Sequence, residues 1–319
     1  MEQELLAIFG ARLKIMEPLS KHTNFRLGGP AKFLVEVKTQ DELIKAVSLA
    51  KENRLPYFVM GGGSNVLASD EGFEGLVIKI AMREFKITGQ TVTADAGVMA
   101  AALARATAEA GLQGFEWAIG LPGTIGGAVR GNAGCFGRET KDAVKSVKAL
   151  KNGEVLEMSN ADLKFGYRDS AIKWDEDLVV LSATLELQPG DVAELKEKIR
   201  EILAKRQTSQ PQGASSAGCI FKNYEIVDDA DLQRIKEKLD ITPEMVQARR
   251  VPAGWVIDQA GLKGKQIGAA QISSEHGNFI VNLGNATASD VMQLISLAKM
   301  TVRDSFGIQL MEEVQYLGF

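Results

Sequence analysis

The chain has almost no cysteine or histidine. Cys135 and Cys219 are its only thiols and His22 and His276 its only imidazoles, among 319 residues. Two thiols at unrelated spacing build neither a disulfide framework nor a Cys/His metal site, and they fit a reduced, cytoplasmic setting. Aromatic residues are scarce at 6% and do not alternate with basic runs. A net charge of −4 gives no electrostatic reason to bind nucleic acid. Any phosphate-bearing partner must then be held by local amides and a few placed cations. No apolar run approaches the roughly 18 residues of a membrane span, and the opening MEQELLAIFGARLKIMEPLS lacks the basic start and apolar centre of a signal peptide. What remains, 45% hydrophobic and 24% charged, is ordinary for a soluble protein, and this length predicts two or three domains.

Glycine, by contrast, is concentrated. Eight of the 24 residues in GFEWAIGLPGTIGGAVRGNAGCFG, 114–137, are glycine. Each interior glycine costs a helix about 1 kcal/mol relative to alanine, and a strand needs side chains to pack. The stretch is therefore expected to form neither, and to offer bare main chain that a flat or charged ligand can approach. A second cluster, Gly61-Gly62-Gly63-Ser64-Asn65, follows a strand expected at 57–60. Consecutive unhindered amides there could nest a pyrophosphate; a tight surface turn is the plain alternative. In 120–127, GLPGTIGG, apolar residues alternate with glycine and suit a flat ring system, although a close backbone crossing explains the pattern equally well. Two such loops in one chain point to a flavin dinucleotide gripped along its length. The Rossmann fingerprint needs G-x-G-x-x-G after the first strand and opening a helix. Here the cluster follows the second strand of a β-α-β unit and leads to another strand, and G-x-x-x-x-G-K-[ST] is absent.

Periodicity and capping signals predict an amphipathic helix over 1–20, strands at 33–37 and 76–80, and a helix capped by Asp41 between them. Strands are expected at 85–88, 91–94, 143–150, 154–158 and 178–187, with helices at 99–110 and from 191 to about Arg206. A polar linker, QTSQPQGASSA, covers 207–217. Beyond it the pattern predicts a strand at 219–223, helices at 229–239 and 243–250, a strand at 279–282, a helix over 287–305 opened by Thr-x-x-Asp, and a last strand over 308–317.

Four further clusters carry chemistry. Arg26 lies in a glycine-bearing turn, TNFRLGG. Arg168, in YRDS, offers a planar donor pair for a carboxylate, or an ordinary surface ion pair with Asp169. Cys219 follows small residues in SAGCIFKN; a thiol of reference pKa near 8.5 can donate a proton near neutral pH, and a buried structural cysteine is the plain alternative. Glu312-Glu313 puts one carboxylate on each face of the last strand.

In order, TNFRLGG, MGGGSN, GLPGTIGGAVRGNAG, FGYRDS, SAGCIFKN, AGWVIDQAGLKGKQIG and EEVQYLG resemble the motifs of one family, the UDP-N-acetylenolpyruvoylglucosamine reductases (UDP-N-acetylmuramate dehydrogenases), over roughly residues 21–318. The resemblance implies an α+β protein with a vanillyl-alcohol-oxidase-type FAD-binding fold in two subdomains, 1–80 and 81–206. A substrate-binding domain, 207–306, and a C-terminal strand, 307–319, returning to the active site complete it. It implies non-covalent FAD held by Asn24, Arg26, Gly61, Gly62, Gly63, Ser64, Asn65, Gly120, Pro122, Gly123, Thr124, Gly126, Gly127, Asn132 and Ala133, with NADPH as hydride donor. Arg168 and Glu313 match residues that stabilise an enolate-like species, and Cys219 the proton donor. Asn223 and His276 match substrate-contacting positions for the nucleotide sugar, Lys222 is expected beside them, and Lys205 or Arg206, of which Arg206 is taken, could reach the UDP pyrophosphate. The implied role is a cytoplasmic step of peptidoglycan precursor synthesis by a monomer.

Three positions depart from the family pattern. Position 219 holds cysteine instead of the commoner serine, Tyr224 stands where proline is usual, and Phe136 replaces tyrosine. A tyrosine-bearing insertion found in one subclass is missing. A rival reading is an oxidase of the same fold with flavin tethered through His22 or Cys135; a non-catalytic flavin- or nucleotide-sugar-binding module would leave Arg168, Cys219 and Glu313 without a purpose.

Overall fold

The computed structural model describes residues 1–211 and 213–319. Contacts divide the chain into two units, each assembled from separated stretches. The first comprises 1–17, 31–63 and 73–208; the second comprises 18–30, 64–72 and 209–319.

The first unit holds two larger sheets, besides the short pairs Gly134–Cys135 with Arg138–Glu139 and Leu112–Gln113 with Gln188–Pro189. One has the strand order Leu13–Pro18, Pro30–Val37, Phe73–Ile80, Tyr57–Met60. The last three run parallel, with Val35 and Val59 both opposite Ile78. The crossover helix, Gln40–Glu52, is capped by Thr39, whose Oγ1 accepts the Glu42 amide at 3.2 Å. That cap lies two residues ahead of Asp41, and the helix turns Leu43, Ala46, Val47 and Ala50 into the core. The other sheet is antiparallel throughout, in the order Glu154–Ser159, Val144–Lys151, Val179–Glu186, Thr91–Asp95, Phe85–Thr88. The first sheet ends at Ile80 and the second begins at Phe85. Helix Ala100–Glu109 buries Leu103, Ala104 and Ala108 in the same core as Phe115, Trp117 and Ile119.

Two expectations for this unit need correction. Residues 1–20 are not one helix: Glu2–Phe9 is helical, Gly10 breaks it at φ 52°, and Leu13–Pro18 is an edge strand. The glycine-rich stretch is not free of helix either, since Ile125–Arg130 forms one through Gly126 and Gly127. Tertiary packing overrides propensity there. A Cβ on Gly126 would lie 2.9 Å from the Ala96 Cβ and 3.2 Å from the Ala96 carbonyl oxygen, so only glycine lets this helix sit on the turn after Thr91–Asp95.

The second unit contains a three-stranded antiparallel sheet, Gln266–Ile267, Ala270–Ile272 and Ile280–Asn282. Its long helix, Ala288–Phe306, starts with a Thr287/Asp290 capping box and ends at Gly307, φ 71°. Val291, Leu294, Ile295, Ala298 and Val302 form the buried stripe of that helix. The two inserted stretches are integral to this core, because Phe25, Leu27 and Leu67 are buried within it. Val66–Ala68 pairs in parallel with Gln315–Leu317, and Asp70 accepts the Ala288 and Ser289 amides at 2.8 and 3.0 Å. The strand expected over 308–317 is thus confined to Gln315–Leu317. That expected at 219–223 is a pair of isolated bridges, Cys219 to Phe279 and Phe221 to Glu312. Of the proposed linker, residues 207–209 continue helix Val192–Ser209, and Gln212 lies outside the described residues.

Candidate functional site

The two glycine clusters come together within the first unit. Gly62 approaches Gly123, a Cβ on it standing 3.3 Å from the Gly123 Cα, and a Cβ on Gly61 would collide with the Thr124 side chain. The glycines thus serve a close backbone crossing, and the crossing sets both loops side by side as a single dinucleotide requires. Gly63 follows at φ 66° and Gly123 at φ 111°, conformations that side chains resist. Thr124 is the N-cap residue of helix Ile125–Arg130. The helix's first two amides are already used: Ile125 N–H donates to Val98 O and Gly126 N–H to Ala96 O, each at 2.9 Å. Ala133 N–H closes back on Ala128 O at 2.8 Å.

Asn132 is fully buried at φ 41°. Its Nδ2 donates to Glu139 Oε2 (3.0 Å) and Gly166 O (2.7 Å), and its Oδ1 accepts the Lys141 amide (3.0 Å). Arg168, at φ 53° in the turn between Gly166 and Asp169, donates from Nη2 to Gly134 O at 2.8 Å. Its guanidinium also lies over the Tyr167 ring, 5.3 Å from the centroid. Arg206, from helix Val192–Ser209, lays its chain across Gly120 and brings Nη1 to 3.9 Å from Cys135 Sγ. Burial pushes the Cys135 thiol up in pKa, with Arg206 opposing, so it is a poor nucleophile for tethering a flavin.

In the second unit, Asn24 and Arg26 are exposed while their neighbours Phe25 and Leu27 are buried. Arg26 sits at φ 54°, and Thr23 Oγ1 donates to Leu27 O at 2.9 Å to close the turn. The other side of the rival tether, His22, is also buried.

Cys219 and Glu313 are set on adjoining segments of this unit. Glu313 N–H donates to Ile220 O at 2.7 Å. The Glu313 carbonyl accepts Asn65 Nδ2 and Gln315 Nε2, both at 3.1 Å, and Gln315 N–H returns to Asn65 O at 2.9 Å. Glu312, the other member of the pair, is engaged by Lys299 at 2.7 Å. On the opposite side of the thiol segment, Ile220 N–H reaches Asn278 O at 2.9 Å.

Lys222 is anchored through its amide to Met311 O (2.8 Å), and Asn223 Oδ1 accepts the Ala253 amide (3.1 Å). His276 Nδ1 accepts the Asn278 amide at 3.1 Å, and burial lowers the pKa of the ring. The neutral imidazole therefore carries its proton on Nε2 and is a donor there.

One contributor has no signature in the sequence, and another carries a bond that its motif does not suggest. Asn278, 3% exposed, clamps the thiol segment by donating Nδ2 to Phe221 O (2.8 Å) and accepting Phe221 N–H (2.9 Å) at Oδ1; an asparagine after His-Gly reads simply as a turn. Asn65 reads as a phosphate-loop residue, yet its side chain supports the main chain of Glu313.

Residues 31–159 match the family model for an FAD binding domain, and residues 210–317 match that for the C-terminal domain of UDP-N-acetylenolpyruvoylglucosamine reductase. The reductase of Alkaliphilus oremlandii (strain OhILAs) is 40% identical over 305 residues, 95% of this chain and 92% of that protein. The one from Clostridioides difficile (strain 630) is 38% identical over 309 residues, 96% of this chain and 93% of its own length. The crystal structure of UDP-N-acetylenolpyruvylglucosamine reductase from Thermus caldophilus superposes with a TM-score of 0.76 at 33% identity, covering 96% of this chain and 99% of that one.

Proposed function

Since the chain belongs to the UDP-N-acetylenolpyruvoylglucosamine reductase family, we propose that it reduces the enolpyruvyl ether of UDP-N-acetylglucosamine to UDP-N-acetylmuramate in cytoplasmic peptidoglycan precursor synthesis. FAD, held without a covalent bond, and NADPH complete the reading. The observation that carries it is the 2.7 Å bond from Glu313 N–H to Ile220 O, which sets a carboxylic acid and a thiol on adjoining segments. When bound between the residues named for it, FAD would supply the redox chemistry of the reduction, with NADPH as the source of the hydride that the enolpyruvyl group takes up at its terminal carbon.

The protein's own residues then handle charge and a proton. Hydride arrival leaves negative charge on the adjacent carbon and its carboxylate. Arg168, oriented by Gly134 O, offers the guanidinium that a carboxylate pairs with best. Glu313 in its protonated form donates to the enolate-like oxygen, where preorganised donors stabilise most. Cys219 Sγ gives its proton to the adjacent carbon and regains one from solvent. Within the second unit, neutral His276 presents Nε2–H to the nucleotide sugar alongside Lys222 and Asn223; Arg206 is assigned to its pyrophosphate.

Anaerobic stopped-flow tests this scheme. NADPH should bleach the yellow protein, and the enolpyruvyl sugar nucleotide should restore its colour without oxygen. Cys219→Ala should be bleached at nearly the wild-type rate and recolour roughly a thousandfold more slowly, while Cys219→Ser should keep much of the activity. A wild-type flavin that the sugar nucleotide cannot reoxidise would refute the function. Normal recolouring of Cys219→Ala would refute only the donor, and flavin left attached after denaturation would restore the tethered-oxidase reading.

A further inference from the structure

The segments bearing the thiol and the carboxylate are joined around one bridge. Phe221 lies opposite Glu312, Lys222 N–H donates to Met311 O, and Glu313 and Val314 N–H both donate to Ile220 O. Beyond these they diverge, one into strand Tyr224–Glu225 and the other back to the end of helix Ala288–Phe306. One side-chain cluster spans that divergence. The Tyr224 hydroxyl donates to the Asp231 carboxylate, 3.0 Å from Oδ2. Arg234 Nη2 donates to Asp231 and to the Tyr224 hydroxyl, the latter at 3.3 Å. Its other nitrogen, Nη1, donates to Gly307 O at 2.7 Å.

The cluster rests on a firm base. Asp231 and Arg234 share helix Asp229–Lys236, whose N-cap, Asp228, accepts the Asp231 amide at 2.8 Å. A Cβ on Gly307 would run into the Arg234 guanidinium, so the helix end and the arginine are fitted to each other. Burial first, and then the Asp231 carboxylate, push the Tyr224 hydroxyl up in pKa and keep it a proton-bearing donor.

We propose that Tyr224, Asp231 and Arg234 act as a positioning clamp that holds the Cys219 and Glu313 segments in register for proton delivery. The clamp rests on the roles assigned above to those two residues. Two segments joined around a single bridge can splay about that contact; a second tie beyond it turns the pair into a frame. Reacting groups must be held to within about 0.5 Å for full effect, so a loosened frame slows the proton step before it affects binding. The usual proline at position 224 would stiffen the strand exit through its fixed φ; the tyrosine in this chain achieves it by bonding outward.

Tyr224→Phe removes the hydroxyl at constant ring volume, and Arg234→Lys removes the fork that reaches two acceptors. Each variant, loaded with FAD, should retain the wild-type melting temperature within a few degrees and be reduced by NADPH at the wild-type rate. Reoxidation by the sugar nucleotide should slow about tenfold, the effect of one lost hydrogen bond on a barrier, with KM little changed. The solvent deuterium isotope effect on reoxidation should grow as proton delivery becomes limiting, and the double variant should be no slower than the worse single one. Wild-type reoxidation and isotope effect in both variants would overturn the clamp, as would equal slowing of both half-reactions. Should Tyr224→Phe fail to fold, Arg234→Lys decides alone. Failure of the sugar nucleotide to reoxidise the wild-type flavin overturns the reductase reading instead.

Discussion

Both amide hydrogens of Asn132 are committed within the protein, to Glu139 and Gly166. Asn132 therefore has no side-chain N–H to offer FAD, and its Oδ1 already accepts the Lys141 amide. Arg12 and Glu42 show the same economy in a structural pair. Nη1 and Nη2 of Arg12 meet the two carboxylate oxygens at 2.7 and 2.6 Å, and Glu42 Oε2 also accepts the Lys38 amide at 2.7 Å. Arg12, with the local amides, holds the Glu42 pKa down at about 2. Because the folded value lies below the unfolded one, near 4.3, the stabilisation is complete above that range. It is lost as pH falls toward 2. Both side chains keep some exposure, 30% and 22%, so solvent screening limits the loss. Glu42→Gln should cost about 1 kcal/mol at pH 7, and its denaturant midpoint should fall less steeply than the wild type's between pH 4.5 and 2. Parallel curves for the two proteins would show that the pair contributes nothing.

Helix Ile125–Arg130 owes its position to a missing side chain. Gly126→Ala gains about 1 kcal/mol of helix propensity, but its Cβ meets buried Ala96 at 2.9 Å, including backbone that cannot rotate away. Overpacking of that kind costs about 1–3 kcal/mol, so the variant should be net destabilised, with a lower melting temperature and reduced flavin content after purification. An unchanged melting temperature with full flavin would show that the turn at Ala96 yields easily. This helix marks the limit of local reading: eight glycines in 24 residues argue against helix, while the close approach that demands them is visible only in three dimensions. Strands such as Tyr57–Met60, and helix Ala100–Glu109 with its neighbours Met99 and Ala110 at the caps, were legible because apolar spacing and breakers agree there. Leu13–Pro18 was not, since its edge position half-exposes both faces and erases the alternation. Cys219 and Glu313 could be singled out through the order of the motifs, whereas the bonds from Asn278 and Asn65 that hold their segments join residues far apart in the chain.

At the level of the molecule, the two units interleave in sequence, and this sets what can fold alone. Read in order, 207–306 is expected as a substrate-binding domain followed by a returning strand over 307–319, and the matched family domain, 210–317, covers almost that combined span. Yet the second unit also contains 18–30 and 64–72. From those stretches come buried Phe25, Leu27 and Leu67, the strand Val66–Ala68 that partners Gln315–Leu317, and the Asp70 carboxylate at the start of Ala288–Phe306. Asn282 Nδ2 also loses Phe25 O, its acceptor at 3.0 Å. Burying three large apolar side chains is worth about 1.5–3 kcal/mol each, or about 5–9 kcal/mol in all. A whole domain is typically stable by only about 5–15 kcal/mol. The isolated 209–319 fragment should therefore show poor amide-shift dispersion and no cooperative melt, and expressing it together with residues 18–72 should restore both. A fragment that melts cooperatively by itself would mean that the inserted stretches dress a finished core. In that case the Gln315–Leu317 strand, bare along the edge that Val66–Ala68 covers, should drive it to associate as its concentration rises.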